Sequence, residues 1–265
     1  MEPLVALMRR YVVDYTNRHD TSVCAEIMEP DYTLRMGPHV IAGRDEAYIP
    51  AAQTQFTQFP GLGLTVHEIV TNGDRLAMRF SEHGASARHG GAVAVWRGLG
   101  LYAWNGTRLV SNMVEQDYFA RRRQLGTGVP DPVEPPAAAP WDTAAEPADP
   151  SAEAVVRAWI AAGRPGGTAR CDDGSAAPLL DDVEQSVDDL FSAGLRVAFR
   201  LTERGRYRGG LDGVDAPADR WHGAEAALHL VGLVTVAGGR VVDGRIVSDR
   251  LGLARALAAT AGARG

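Results

Sequence analysis

Glu115 and Asp117 stand two residues apart at the end of the run RLVSNMVEQD, residues 108–117. Along a strand, successive side chains alternate between faces, so Ser111, Met113, Glu115 and Asp117 share one face. Burial among apolar residues raises a carboxylate pKa toward neutrality, which fits it for general acid/base work. His39, in Met36-Gly37-Pro38-His39, is a further proton-transfer candidate, because imidazole titrates near neutral pH. Arg79 lies mid-strand among apolar neighbours, where a guanidinium calls for a carboxylate; Asp117 is the expected partner, and Asp249 the one for Arg200. Tyr15, Tyr32, Met36, Tyr48, Trp96, Tyr102 and Met113 are the expected pocket wall, suited to a flat, small apolar or aromatic substrate. Each residue also has a plainer role. Asp117 can bind a backbone group or an Arg at a sheet end, Arg79 can sit in a structural ion pair, and His39 can be surface. The aromatic residues can be ordinary core.

Composition bounds the rest. The chain has 265 residues, is 45% hydrophobic and carries a formal charge of −6. That charge gives no electrostatic reason to expect nucleic acid or an anionic membrane. The two cysteines, Cys24 and Cys171, sit in unlike contexts and form no metal-ligand spacing, so neither a disulfide framework nor a metal is expected. The apolar start, MEPLVALMRRYVVDY, is broken by Arg9 and Arg10 and is not followed by a small-residue cleavage site. No apolar run approaches the roughly 18 residues of a membrane span. A cytoplasmic protein without membrane partners is the expectation.

The elements that must position these residues occur twice. Residues 75–84 read RLAMRFSEHG and residues 196–205 read RVAFRLTERG. Residues 108–125 and 240–257 match in the same order, pairing Asp117 with Asp249 and Leu125 with Leu257. Such a separation is far longer than a solenoid period of about 20–50 residues, so it means two copies of one domain. In register, Glu115 faces Val247, a polar group in one copy against an apolar one in the other. Between the copies, residues 126–150 hold seven of the fifteen prolines and read as a semi-rigid linker, with Trp141 its one large apolar residue. The expected units are therefore 1–125, a linker 126–150, and 151–265.

In the first unit, Leu4, Leu7, Met8, Tyr11, Val12 and Tyr15 fall at helical spacing. Short helices are expected over 21–28 and 43–56, and a strand over 31–36. Long strands follow at 63–71, 75–83, 92–103 and 108–117, joined at Asn72-Gly73-Asp74 and Asn105-Gly106, where Asn and Gly tolerate positive φ. Helices first and then an antiparallel meander reads as α+β. The second unit keeps the order, with a helix over 151–162 and strands at 184–192, 195–204, 226–237 and 240–249. Its segment 163–183 is too short for the other helices, so this copy is abridged. The basic run Arg121-Arg122-Arg123 is expected to be a solvated exit from the sheet, and His19, His67, His83 and His89 to be surface residues.

This arrangement resembles the nuclear transport factor 2-like superfamily and, within it, the SnoaL-like polyketide cyclase group. The resemblance rests on Glu29-Pro30-Asp31, Gly43-Arg44-Asp45-Glu46 and Phe59-Pro60-Gly61-Leu62, in that order. Asn72-Gly73-Asp74-Arg75, Arg79, Arg97-Gly98 and Asp117 continue it through nearly all of the first unit, and the second joins from about residue 184. It implies two tandem cone-shaped α+β barrels, each a bent sheet wrapped on helices, with an apolar pocket at the open end. It also implies chemistry without a cofactor, Asp117 in the place of the terminal acid/base residue, and His39 at the pocket mouth. The polyether epoxide hydrolases of this fold use an Asp at the end of the first strand, where this chain has Met36.

The leading expectation is a cofactor-independent cyclase or isomerase of specialised, polyketide-like metabolism. Asp117 or Glu115 would be its acid/base in the first unit, and His39 or Arg79 would polarise a carbonyl. The alternative is a non-catalytic small-molecule-binding or scaffolding module, and a third reading is epoxide opening. The two units are expected to pack through their sheets as an intramolecular pseudo-dimer, replacing the homodimer common for this fold, with a homodimer of the whole chain left open.

Overall fold

A computed structural model describes residues 1–165, 169–171, 178–211 and 221–262. Helix α1, Pro3–Arg9, is capped by the Glu2 carboxylate and runs on through a π-helical stretch, Arg10–Thr16. After α2, Cys24–Ile27, come strands β1, Met28–Met36, and β2, His39–Ala42. A second π-helical turn, Arg44–Tyr48, leads into α3, Ile49–Gln58. Strands β3 (Gly63–Thr71), β4 (Arg75–Ala85), β5 (Val93–Trp104) and β6 (Leu109–Gln116) follow, and α4, Tyr118–Thr127, closes the unit. The strand order is β2-β1-β6-β5-β4-β3. The sheet is mixed rather than the expected meander, because β1 pairs parallel with β6. Both expected Asn-Gly turns form. The Asn72 side-chain oxygen accepts from the Asp74 and Arg75 amides, and Asn105 does the same for Thr107 and Arg108.

The pleat divides this sheet into two buried faces. Leu76, Met78 and Phe80 of β4, with Tyr102 and Val114, pack on Leu4, Met8, Tyr11, Val12 and Tyr15 of the first helix. The odd residues Ala77, Leu99 and Leu101 face outward, and they are fully buried too, against Phe191, Ala198, Val231, Leu233 and Val247 of the second unit. Fully burying such a Leu, Val or Phe contributes about 1.5–3 kcal/mol.

The second unit begins with α5, Pro150–Ala161, capped by Asp149. Its sheet contains β7 (Ala169–Cys171), β8 (Leu180–Ala193), β9 (Arg196–Tyr207), β10 (Glu225–Ala237) and β11 (Arg240–Ser248), in the order β7-β11-β10-β9-β8. Helix α6, Arg250–Gly262, matches α4. Short as it is, β7 pairs parallel with β11 as β1 does with β6, so the first strand of the fold survives in this copy where the sequence shows no trace of it. Residues 166–168 and 172–177 of the abridged segment lie outside the described residues. Phe199 lies over Gly232 so closely that a Cβ there would stand 2.2 Å from its ring.

The linker is a strap rather than a spacer. The Ala137 and Glu146 amides bond the Val66 and Thr71 carbonyls of β3, and Trp141 packs on the first core. His67, expected at the surface, is buried under it, between the Pro135 carbonyl and Ser81.

Candidate active site

The two π-helical turns of the first unit widen the backbone where side chains must meet. They supply Tyr11, Tyr15 and Tyr48, whose hydroxyls converge: Tyr11 on Tyr48 at 3.0 Å and Tyr15 on Tyr48 at 3.3 Å. Beside them, between helices and sheet, lies a cavity of about 130 Å³. Its wall also includes Tyr102 and Tyr118, Met36 and Phe56, the amides Gln55, Asn112 and Gln116, and one carboxylate, Glu82. Glu82 is the fourth inward position of β4 after Leu76, Met78 and Phe80, so the same alternation that builds the core delivers it to the cavity.

Its hydrogen-bond partners are neutral. The carboxylate oxygen Oε2 accepts from Gln55 Nε2 at 2.7 Å and from Trp96 Nε1 at 3.1 Å. Burial pushes the Glu82 carboxyl up to about 7, against the opposing pull of Arg121 and of the Gln55, Trp96 and Gln116 hydrogen bonds. Arg121 is not hydrogen-bonded to it but stacks on Tyr118 at 4.0 Å and on Trp96 at 5.0 Å. This cation–π seat replaces the expected solvated position of that arginine. Burial raises the Tyr11, Tyr15, Tyr48, Tyr102 and Tyr118 phenols above their ordinary range, so all five are neutral near pH 7 and able to donate. One titratable acid near neutrality, ringed by phenols and amides in a small apolar cavity, can move a proton on a substrate and steady the developing oxyanion.

Residues 8–112 match the SnoaL-like domain model. Three solved structures are similar to part of this chain. A protein of Jannaschia sp. CCS1, proposed to be a SnoaL-like polyketide cyclase, is 17% identical, with 46% of this chain and 90% of that one covered and a TM-score of 0.43. IdmH of Streptomyces antibioticus, proposed to be a polyketide cyclase, is 22% identical over 48% of this chain and 99% of its own, with a TM-score of 0.42. TsrD of Streptomyces laurentii is 21% identical over 47% and 95%, with a TM-score of 0.42. No curated protein matches the chain.

The half that matches the SnoaL-like domain model divides the candidate residues between the two faces of its sheet. Tyr15, Met36, Tyr48 and Tyr102 line the cavity. Tyr32 stands behind Tyr48, ring centroids 5.0 Å apart, and Trp96 reaches the cavity through Glu82. Met113, Glu115 and Arg79 do not reach it, contrary to expectation, because odd positions of β4 and β6 lie on the intersheet face. Glu115, fully buried, accepts from the Gly37 amide at 3.0 Å and from Arg200 at 3.2 Å. Burial and the Asp249 carboxylate raise it to about 8, against the pull of Arg200.

Asp117 caps α4 through the Ala120 amide and is held by Arg250 at 2.6 Å. Arg79 therefore pairs not with Asp117 but with Glu134 of the strap, at 2.6 and 2.7 Å, and Arg200 not with Asp249 but with Glu115 and Asp188. His39 is exposed on β2, away from the cavity wall. Glu82 is the residue that the sequence reading passed over. Its match to Glu203 marked it as a feature of the repeat, although its parity with Leu76, Met78 and Phe80 placed a carboxylate on the core face. Among the described residues no cluster of His, Cys, Asp and Glu could hold a metal ion, and no helix is long and apolar enough to cross a membrane.

Proposed function

We propose that the SnoaL-like half is an acid/base catalyst that enolises a compact cyclic ketone or enone, the step shared by isomerisation and aldol-type cyclisation. The observation that carries this reading is Glu82: a carboxyl raised to about 7 on the wall of an apolar cavity, with no guanidinium hydrogen-bonded to it. A general base works best when its pKa lies near the working pH. The phenols of Tyr11, Tyr48 and Tyr102 would steady the enolate oxygen, in the way preorganised donors act at developing oxyanions. The match to the SnoaL-like domain model supports a place in cyclase chemistry of specialised metabolism. A cavity of about 130 Å³ fits a single ring, comparable with the roughly 150 Å³ engineered cavity that takes up benzene. A longer substrate would reach in with one ring.

The test is proton exchange in heavy water. Wild-type protein is incubated with cyclohexenone and small cyclic diketones, and deuterium at the acidic carbon is followed by NMR. Exchange above the buffer rate, lost in Glu82→Gln and kept in Glu115→Gln, supports the reading. Equal exchange in wild type and Glu82→Gln, or loss in Glu115→Gln alone, would sink it.

A further inference from the structure

One amide of the cavity wall takes no part in the chemistry of Glu82. Asn112 lies on the inward face of β6, four residues before Gln116, with Val114 between them, and all three line the cavity. It is 2% exposed, and its carbonyl oxygen Oδ1 has no hydrogen-bond partner. The other two amides of the wall are engaged. Gln55 donates to Glu82, and the Gln116 carbonyl accepts from the Trp96 indole at 2.8 Å. The large majority of buried side-chain polar atoms are paired, and an unpaired one is costly. One left unpaired in the wall of a ligand-sized cavity points to a donor that arrives with the ligand.

The neighbouring strands do not supply that donor. Asn112 stands in register with Tyr102 of β5 on one side and with Leu34 of β1 on the other. Leu34 has nothing to donate, and the Tyr32 hydroxyl, two residues earlier on β1, is itself buried without a partner. Gly100 is the inward position of β5 before Tyr102. A Cβ there would stand 3.0 Å from Asn112 Oδ1 and 3.0 Å from the Tyr102 hydroxyl, so the missing side chain lets these two oxygens converge over one residue. A phenol that donates therefore lies beside an amide oxygen that can only accept. Two oxygens on one ring, a ketone for the phenol and a hydroxyl for the amide, match that pair.

We propose that Asn112 is a specificity determinant of this cavity and accepts a hydrogen bond from a substrate hydroxyl, so that the site takes a cyclic ketone with a hydroxyl close to its ketone oxygen. The assignment rests on the reading of Glu82 as the acid/base and of Tyr102 as a donor to the ketone oxygen. A site built to bind a hydroxyl discriminates against the analogue that lacks it, because its own polar group is then left unpaired.

Equilibrium binding tests this apart from turnover. The 3-hydroxy, 3-methoxy and 3-methyl derivatives of cyclohexanone are titrated by ligand-detected NMR against the full-length wild type and against Glu82→Gln. In both proteins the hydroxy ketone should bind about tenfold more tightly than the methyl and methoxy ketones, and more tightly than 4-hydroxycyclohexanone. Asn112→Leu keeps a similar volume without an acceptor, so it should abolish the preference. Its melting temperature should not fall, because an unpaired buried oxygen is removed. Should that variant fail to fold, Asn112→Ala replaces it. Equal binding of the hydroxy and methyl ketones overturns the proposal, as does a preference that survives in the Asn112 variant. Tighter binding of the methoxy ketone overturns it as well, because the amide nitrogen would then face the ligand. Equal binding of the 4-hydroxy ketone overturns the placement beside Tyr102. Proton exchange separates this result from the fate of Glu82. Exchange without a hydroxyl preference removes the role of Asn112 alone, whereas a preference without exchange keeps it and counts against Glu82 as the base.

Discussion

Glu82 and Glu203 occupy matching places on β4 and β9, and both are buried, but their companions differ. Glu82 is met by an amide and an indole, Gln55 and Trp96, at the wall of a cavity. Glu203 is met by Gln185 at 2.8 Å and by the Arg164 guanidinium at 2.5 Å. The first unit has α3 to carry Gln55 across the mouth of the cone, whereas in the second the chain after α5 brings an arginine. The groove beside α5, lined by Val155, Trp159 and Val241 among others, holds no carboxylate among the described residues. One strand position thus yields a group that can exchange a proton near neutrality where its donors are neutral, and an ion pair where its donor is a permanent cation. The fold supplies the position, and the helices of each copy decide its chemistry.

The largest expected effect separates the two carboxylates by rate. Glu82→Gln keeps the volume and the Gln55 and Trp96 contacts, so it should lower ketone exchange by about 10²–10⁴-fold, the usual worth of a general base, with little change in melting temperature. Glu203→Gln should leave the rate unchanged. Next, the contrast can be broken from the other side. Arg164→Ala strands a buried carboxylate, which costs about 3 kcal/mol in urea unfolding at neutral pH. The double variant Arg164→Ala/Glu203→Gln should recover most of that loss, because the stranded charge is gone.

A smaller effect tests how the second unit supports the first. Arg250 holds Asp117 at the start of α4, the helix that places Tyr118 on the cavity wall and Arg121 over Trp96. Arg250→Ala should cost about 1–3 kcal/mol and slow exchange severalfold, while the midpoint of its pH profile stays in place. A shifted midpoint would mean that Arg250 acts on Glu82 by charge rather than by position.

The smallest effect is in stability against pH. Burial and Asp249 raise Glu115 from 4.5 to about 8, so the folded state holds a proton that the unfolded state releases between those values. The stability contributed by that proton is complete below about 4.5 and is lost as pH rises toward about 8. Urea midpoints of wild type should therefore fall across this window relative to Glu115→Gln. A parallel fall in both proteins would contradict the assignment.

The sequence announced the architecture because its signals were local. Helical spacing from Leu4 to Tyr15, Asn-Gly turns, and a second copy in the same order all survive in the structure as α1, two hairpins and a second sheet. Aromatic cavity residues such as Tyr15, Tyr48 and Tyr102 were legible for the same reason. The acid was not, because both faces of the first sheet are buried. Alternation separates the two faces of β6 but does not say which one meets helices and which one meets the second sheet. Glu115 and Asp117 share their parity with the intersheet face for that reason, and the guanidiniums that hold them, Arg200 and Arg250, are distant in sequence. The pairing of β7 with β11 was hidden by its three-residue length, too short for any period to show.

The most direct test is a carbon-13 carboxyl titration of the full chain, with Glu82→Gln used to assign the resonance. The account predicts a midpoint near 7 for Glu82 and its disappearance in the variant. A midpoint at the ordinary glutamate value of 4.5 would contradict it, because the residue would then be a permanent anion rather than an acid/base poised at neutral pH.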